Sequence, residues 1–291
     1  MARPLYVIGD VHGDADRLIR ILEAHALVDL SNRTVRFAKR GVVVLFMGDV
    51  VDAKSRHGEL GDMAFRNTRS DLWIMEFLSV AAKEARAVGS EVVALVGNHE
   101  LMNVRGELQY VSPYHMTSAA ARMRYFAPDG GGTDVLCDLF HTSIVYNGNH
   151  YSHAGIPLDA TDEQKRFMGK RVTAALIEQA GNPHLESLVA HRDYADGADG
   201  ASDAAFRAAT VCRRHNVKRM VTGHNYTGGQ GVVTSFGGRV VYTDAGISRA
   251  FTPGNTPKAL EIVYDPGDGE LVVLRANGNT APIPDMRTDM R

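Results

Sequence analysis

The sequence predicts an α/β protein, a sandwich of two mixed β-sheets flanked by helices and built as a single domain over residues 1–280. Three observations carry this. Apolar runs at 5–8, 42–47 and 92–96 are each followed at once by glycine and then by an acid or amide. The intervals between them hold helix-spaced apolar positions, so the first third reads as a βαβαβ unit with right-handed crossovers. Past residue 215 the chain becomes β-rich, with short valine runs separated by glycine turns.

Each element follows from local pattern. The run at 92–96 (V-V-A-L-V) is apolar throughout, which describes a strand buried on both faces. Residues 14–26 place apolar side chains at 15, 18, 19, 21, 22 and 26, the spacing of an amphipathic helix. The segment 27–40 is a polar connection with a short strand pair around Ser31 and Asn32. Residues 53–69, charged and glycine-containing, predict an exposed loop beside the strand ends. Leu72, Met75, Leu78, Ala82 and Ala85 stripe a helix over 71–88, and Gly89 supplies its stop.

The next part is less regular. Residues 101–139, broken by Gly130, Gly131 and Gly132, predict loops and short helices covering the site, the first of two cap-like insertions. Asn147-Gly148 sets a hairpin over 142–152, because that dipeptide suits the mirror-image turns that hairpins favour. Thr161 and Gln164 form a capping-box pattern opening a helix to about 180, with Gly181 as its stop. Residues 182–201 read as polar and irregular, and Ser202 caps a helix to about 215. The stretch 160–215 forms the second cap-like insertion. A strand at 218–222 precedes the β-rich remainder, and 281–291 reads as a frayed tail.

Composition excludes several classes of function. The chain has 291 residues, 44% hydrophobic and 23% charged, which is ordinary for a globular protein. A net charge of −2 provides no global basic field, so no nucleic-acid partner is expected. Cys137 and Cys212 are the only cysteines, too few for a disulfide framework or a thiolate metal site. No apolar stretch approaches the ~20 residues of a membrane span, and no signal-peptide core precedes the first strand. These readings predict a cytoplasmic protein in a reducing setting, with no membrane partner.

The strand ends carry the chemistry. Asp10 and His12 follow the first run, Asp49 and Asp52 the second, and Asn98, His99 and Glu100 the third. His153 follows the hairpin and His224 the later strand. In open α/β sheets, ligands bind outside the carboxyl ends of the strands. Any one of these turns is weak evidence, but five that assemble one site are hard to assign to packing. Asp10, His12, Asp49, Asn98, His153 and His224 are oxygen and imidazole donors, suited to divalent ions such as Mn, Fe or Zn. Asp49, on the middle of the first three strands, is the natural bridge between two metals. Asp10 and His12 complete one, and Asn98, His153 and His224 the other. Such a pair clamps the attacking and leaving oxygens of a displacement at phosphorus. His25, His57, His115, His141, His150, His184, His191 and His215 read as structural, with His57 and His191 in loops that border the site.

Taken together, G-D-V-H-G, G-D-V-V-D, G-N-H-E, H-A-G-I and G-H-N resemble, in order, the five blocks of the metal-dependent phosphoprotein phosphatases, within the calcineurin-like metallophosphoesterases. The stretches 97–111 and 242–250 are most similar to the Shewanella-like, bacterial-type branch. The resemblance implies a four-layer αββα sandwich holding two divalent metal ions on the six donors above. It implies a phosphomonoesterase acting on a phosphorylated protein or a small phosphoester, by direct attack of a hydroxide bridging the metals. It also implies His99 as the acid for the leaving group, Asp52 as its partner, and Asn98 and Arg192 as phosphate ligands.

One position departs from that pattern. The family usually places an arginine directly after its second-block aspartate, and here Ala53 stands there, followed by Lys54, Ser55 and Arg56. Lys54 and Arg56 are therefore the expected replacements in gripping phosphate. Two other functions fit the same core. A nucleotide or dinucleoside-polyphosphate hydrolase would need a stacking pair from Tyr110, Tyr114 and Tyr194. A non-catalytic binding module would be expected to lack some of the ligands, and none is missing.

Overall fold

The computed structural model describes residues 2–30, 35–195, 202–252 and 256–286. Strand β1 (Leu5–Ile8) leads through the first acidic turn into α1 (Ala15–Ala24), where the Asp14 carboxylate accepts from the Arg17 N–H. A ribbon of β2 (Val28–Asp29) and β3 (Arg36–Phe37) follows, with Val28 opposite Phe37. The strand pair expected around Ser31 and Asn32 thus forms on either side of them, and those two residues lie outside the described ones. After β4 (Val43–Phe46), the expected loop contains α2 (Gly58–Asp62) and a 3-10 turn at Met63–Phe65. Helix α3 (Asp71–Ala87) is capped by Ser70 and stops at Val88 before Gly89, close to the expected bounds. Strand β5 (Glu91–Leu95) runs into α4 (Asn98–Val104), so the third motif opens a helix.

Helices α5 (Ala119–Tyr125) and α6 (Gly131–Leu139) come next, then β6 (Phe140–His141). The hairpin of β7 (Ser143–Tyr146) and β8 (Asn149–Ser152) turns on Asn147 and Gly148, with φ of +48° and +79°. Positive φ at both central residues is the twist-matched turn the dipeptide predicts.

The expected long helix from 161 is broken. It comprises α7 (Asp162–Phe167) and α8 (Ala174–Ile177), each with its own threonine cap, Thr161 and Thr173. Between them the chain runs extended beside β6. Thr142 Oγ1 donates to Phe167 O, the Thr142 N–H donates to Lys170 O, and the Val172 N–H donates to Phe140 O. Pairing with a distant strand overrides a local helical pattern here. The segment expected to be irregular contains α9 (Pro183–Ala190), whose Asn182 cap and first-turn proline are a helix-start signature. Helix α10 (Ser202–Arg214) follows, and the capping role expected of the Ser202 side chain lies outside what is described.

The chain closes through β9 (Met220–Thr222), β10 (Val233–Ser235), β11 (Val240–Tyr242), β12 (Ile262–Asp265), β13 (Val272–Leu274) and β14 (Thr280–Pro282). Of the tail expected over 281–291, residues 281–286 are described and are paired, while 287–291 lie outside the described residues. β14 pairs with β13, and the Met286 N–H donates to Thr234 O.

The strands form two mixed sheets, ordered β14-β13-β12-β1-β4-β5-β6 and β10-β11-β9-β8-β7. In the first, β1, β4, β5 and β6 are parallel. In the second, β8, β9 and β11 are parallel. Period-two alternation explains the layers. Leu5, Val7, Val43, Leu45, Val93 and Leu95 point between the sheets, where they meet Tyr151, Val221 and Val241. Tyr6, Ile8, Val44, Phe46, Val92 and Ala94 point the other way, onto α1, α3 and α6. The outer face of the second sheet packs Met220, Val240 and Tyr242 on Ala208, Val211 and Cys212 of α10. The result is helix, sheet, sheet, helix. Of the two segments read as cap-like, α6, α8 and α9 place Leu136, Leu139, Ile177, Leu185 and Val189 in this outer helical core. No described helix is long and apolar enough to cross a membrane.

Candidate metal centre

All the motif residues leave the carboxyl ends of parallel strands, so both sheets deliver them to one edge. The turns are held by backbone and carboxylate. The His12 N–H donates to Asp49 O at 2.8 Å, and the Gly13 N–H to Val50 O at 3.0 Å. Glu100 accepts from three N–H groups, those of Gly97 (2.8 Å), Asp49 (2.9 Å) and Val50 (2.9 Å). Asp49 Oδ1 accepts from the His99 N–H at 3.0 Å. A Cβ at Gly97 would overlap that same Asp49 Oδ1, which is why the strand must end in glycine. The residue approaching Gly97 is the chain's own aspartate.

Four motif side chains stand on left-handed backbone: His12 (φ +40°), Asp49 (+48°), Asp52 (+71°) and His224 (+62°). Each such conformation costs roughly 1–3 kcal/mol and persists only where surrounding contacts impose it. They make up half of the eight non-glycine residues with positive φ among those described. Backbone strain is therefore concentrated at this edge.

Asp49 Oδ2 sits at the centre. Around it lie His153 Nε2 at 3.2 Å, His12 Nε2 at 3.7 Å and His99 Nε2 at 3.9 Å. His153 Nδ1 donates to Met47 O at 2.7 Å, which fixes the tautomer and leaves Nε2 as the donor atom; Asn98 Oδ1 is 3.2 Å from it. His224 Nε2 donates to Ala190 O at 3.1 Å, leaving Nδ1. Two groupings, buried except for the half-buried His224, have donor atoms close enough to share an ion: His12, Asp49 and His99, and Asp49, His153 and His224. Asp49 belongs to both. Asp10 lies outside these two groupings. Its Oδ2 accepts from the His224 N–H at 2.8 Å, while its buried Oδ1 has no hydrogen-bond partner. His12 Nδ1 is likewise buried without one.

The electrostatics say what the edge requires. Burial, then the Asp244 charge, pushes the Asp10 carboxyl well above the ordinary range. Burial also works against Asp49, but His153 and His99 outweigh it and hold its carboxyl well below that range. His153 in turn is raised to about 10: burial opposes its charge, and Asp49 and Asp10 prevail. Glu100 and Asp244 are pushed up to about 7, in both cases chiefly by burial. Burial and the His153 charge depress His224 to about 3. Four carboxylates thus share a dry region with imidazoles as their close counter-charges. Oxygen and imidazole donors, an unpartnered carboxylate oxygen and excess negative charge fit divalent cations well.

Beside this edge opens a cleft of about 350 Å³, lined among others by Arg56, Asn98, His99, Tyr110, Arg192 and Phe251. A larger hollow of about 540 Å³ lies between Pro157, Lys165 and Arg214, with no such donor set. The Arg56 guanidinium lies between two rings, 4.5 Å from the centre of Tyr110 and 4.9 Å from that of Phe251. Arg192 Nη1 donates to Asn225 Oδ1 at 3.4 Å. His99 Nδ1 meets Asp52 Oδ2 at 2.8 Å.

Not every expected side chain arrives. Lys54 Nζ donates to Gln109 O at 3.0 Å and does not line the cleft. The loop around it is pinned, since the Lys54 N–H donates to Tyr110 O and the Arg56 N–H to Ala250 O. Ala53 is fully buried against Phe65 and Ala250, a space with no room for an arginine. Of the possible stacking tyrosines, only Tyr110 reaches the cleft. Tyr194 is in the core with its hydroxyl on Ile156 O, and Tyr114 stays outside. His57 and His191 bond to Phe251 O and Gly155 O and support the rim. The sequence reading assigned nothing to Glu100, Asp244 or Phe251. Glu100 had a signal, an acid three residues after the glycine that opens a helix. Asp244 had none beyond its place in the run 242–250, and Phe251, just past that run, had none.

Comparison with known proteins agrees with this geometry. An uncharacterised protein of Schizosaccharomyces pombe is 26% identical over 295 residues, spanning 93% of this chain and 82% of its own length. Shewanella-like protein phosphatase 2 of Arabidopsis thaliana is 24% identical over 322 residues, spanning 90% and 76%. The cold-active protein-tyrosine phosphatase of a psychrophilic Shewanella species shares the fold, with a TM-score of 0.71 at 19% identity over 97% of this chain and 81% of that one. The family model described as calcineurin-like phosphoesterase matches residues 3–227. With its paired sheets and buried histidine–aspartate clusters, the chain belongs to the calcineurin-like phosphoesterases, a family of metal-dependent hydrolases.

Proposed function

We propose that this chain is a phosphomonoesterase acting on phosphoproteins, with two divalent ions (Mn, Fe or Zn) held by Asp10, His12, Asp49, Asn98, His153 and His224. The observation that carries the reading is the carboxylate of Asp49, common to a grouping with His12 and His99 and to one with His153 and His224, at the mouth of an arginine-lined cleft; His99, paired with Asp52, is assigned to the proton and not to a metal. When bound, the ions supply the Lewis acidity that makes a nucleophile of water near neutral pH and offsets phosphoryl charge.

The chain's own groups do the rest. Arg56 and Arg192 present planar forks to the phosphoryl oxygens, and the Asn98 amide adds a neutral donor. Arg56 replaces the arginine absent at 53. His99 Nε2 gives its proton to the departing ester oxygen as the P–O bond breaks, leaving neutral imidazole and free alcohol. Asp52, on Nδ1, orients the ring and favours its charged form. Burial opposes that charge, but Asp49 and Asp52 raise the His99 pKa above its ordinary value. Ions on Asp49 would cancel the Asp49 share and leave Asp52 as the principal partner.

The Arg56 sandwich also favours an ester over a nucleobase. The gap between Tyr110 and Phe251, where a base would stack, is already filled by a guanidinium. The names of the relatives, protein phosphatases, point the same way. The test is a turnover panel: chelated protein reloaded with Mn, Fe or Zn, given phosphoserine, phosphothreonine and phosphotyrosine peptides beside nucleotides and dinucleoside polyphosphates. Metal-dependent turnover of peptides is expected. Preference for nucleotides would establish the alternative hydrolase, and absence of turnover with bound metal the binding module.

A further inference from the structure

The geometry points to Arg122, on α5 and outside all five motifs, as the residue that positions the His99–Asp52 pair; this rests on the acid role proposed for His99. Arg122 is only 3% exposed, although it belongs to an outer-layer helix. Four of its N–H bonds are accounted for. Nη2 donates to Asp52 Oδ1 at 3.0 Å, and Nη1 and Nη2 fork onto Asp71 at 2.9 and 2.8 Å. Nε donates to Asn103 Oδ1 at 2.6 Å. Asn103 then donates to the same Asp52 Oδ1 at 2.9 Å and to the His99 carbonyl at 2.9 Å. Asp71 accepts the Asp52 N–H at 2.9 Å.

The consequence is orientational. Asp52 stands on left-handed backbone, its N–H tied to Asp71 and one carboxylate oxygen tied to both Arg122 and Asn103. Its other oxygen is thereby aimed at His99 Nδ1, 2.8 Å away, and the imidazole presents Nε2 to the cleft. A carboxylate held by one partner could pivot about its Cβ–Cγ bond. Asp52 is held on one oxygen by a guanidinium N–H and an amide N–H, with the guanidinium itself anchored by its fork on Asp71, and that removes the pivot. Burying an arginine between two aspartates is a costly way to stabilise a fold, since apolar packing does as well. Fixing the direction of a proton donor is a use that apolar packing does not serve. Arg124, two residues along, is exposed and serves as the control.

The experiment compares a poor leaving group, a phosphoserine peptide, with a good one, p-nitrophenyl phosphate. Arg122→Lys keeps the charge and removes the fork. Its kcat on the peptide should fall about ten- to a hundredfold, and on p-nitrophenyl phosphate less than about threefold, because acid catalysis matters only where the leaving oxygen needs a proton. In a His99→Asn background the same change should cost less than about twofold, since residues acting as one unit are not additive. Metal content should be unchanged throughout, and Arg124→Lys should match wild type. Should Arg122→Lys not fold, Asn103→Ala removes a neutral contact to the same oxygen and is read against the same expectations. Equal losses on both substrates, or full loss persisting without His99, would overturn the positioning role. If His99→Asn itself shows no leaving-group dependence, the acid assignment fails, and the inference with it.

Discussion

The acidic turns and the arginine wall face one another across the same cleft and are built by opposite means. The turns that carry His12, Asp49 and His99 are buried, and several stand on left-handed backbone imposed by a dense set of hydrogen bonds. Arg56 and Arg192, on the other side, are exposed. One rests between two rings with Nη1 donating to Lys54 O at 3.2 Å, and the other, among the described residues, on a 3.4 Å contact to Asn225. The side that would hold metal is fixed by its surroundings, and the side that would meet substrate is lightly held. A small movement on the first side disturbs every ligand at once. On the second it alters one contact. Substrate preference can therefore change at the arginines without rebuilding the centre.

Substitutions can break or sharpen this contrast. Asp49→Asn should have the largest effect, because it weakens both ligand groupings: metal content by mass spectrometry should drop, and kcat should fall by about 10³-fold or more, several kcal/mol of transition-state stabilisation. Wild-type metal content in this variant would end the claim of a shared ligand. Ala53→Arg restores the residue usual in the family, but into a filled space. It should lower stability by about 3 kcal/mol, seen in thermal or urea melts, and should not improve KM. Arg56→Ala and Arg192→Ala should each reduce kcat/KM by about 10- to 100-fold, the worth of a lost charged hydrogen bond, with metal retained. If either matched Asp49→Asn, the two sides would not differ as described. Lys54→Ala should change kcat/KM by less than about twofold, since exposed contacts of this kind contribute little.

The two sides also differed in how readily the sequence disclosed them. That Asp10, His12, Asp49, Asn98, His153 and His224 gather at one edge was legible because each lies in the turn after a short buried strand, and a parallel strand end is a defined place in space. The two mixed sheets flanked by helices followed from the same runs, and their four-layer stacking from the resemblance that those motifs carry. What escaped notice depends on partners far along the chain. Whether Lys54 or Arg56 turns into the cleft is decided by the rings of Tyr110 and Phe251, some 50 and 200 residues away. Arg122 looks like any helical arginine until Asp52 and Asp71 are beside it. The break between α7 and α8 reflects pairing with β6, which outweighs an unbroken helical pattern in the intervening residues. Local pattern locates what is attached to strands, and it is silent on contacts that only the closed fold brings about.

The tie between His153 Nδ1 and the Met47 carbonyl has a mechanical side. Met47 directly follows β4 of one sheet and His153 follows β8 of the other, so the centre straddles the seam between them. An ion held by Asp49 and His153 would act as a clasp across that seam, and its binding energy would become resistance to the sheets' separation. Saturation at about a hundred times the dissociation constant adds about 2.7 kcal/mol to the folded state. Chelation should then lower the melting temperature and admit deuterium first at amides along the seam. For this molecule, durability and turnover would draw on one pool of free metal.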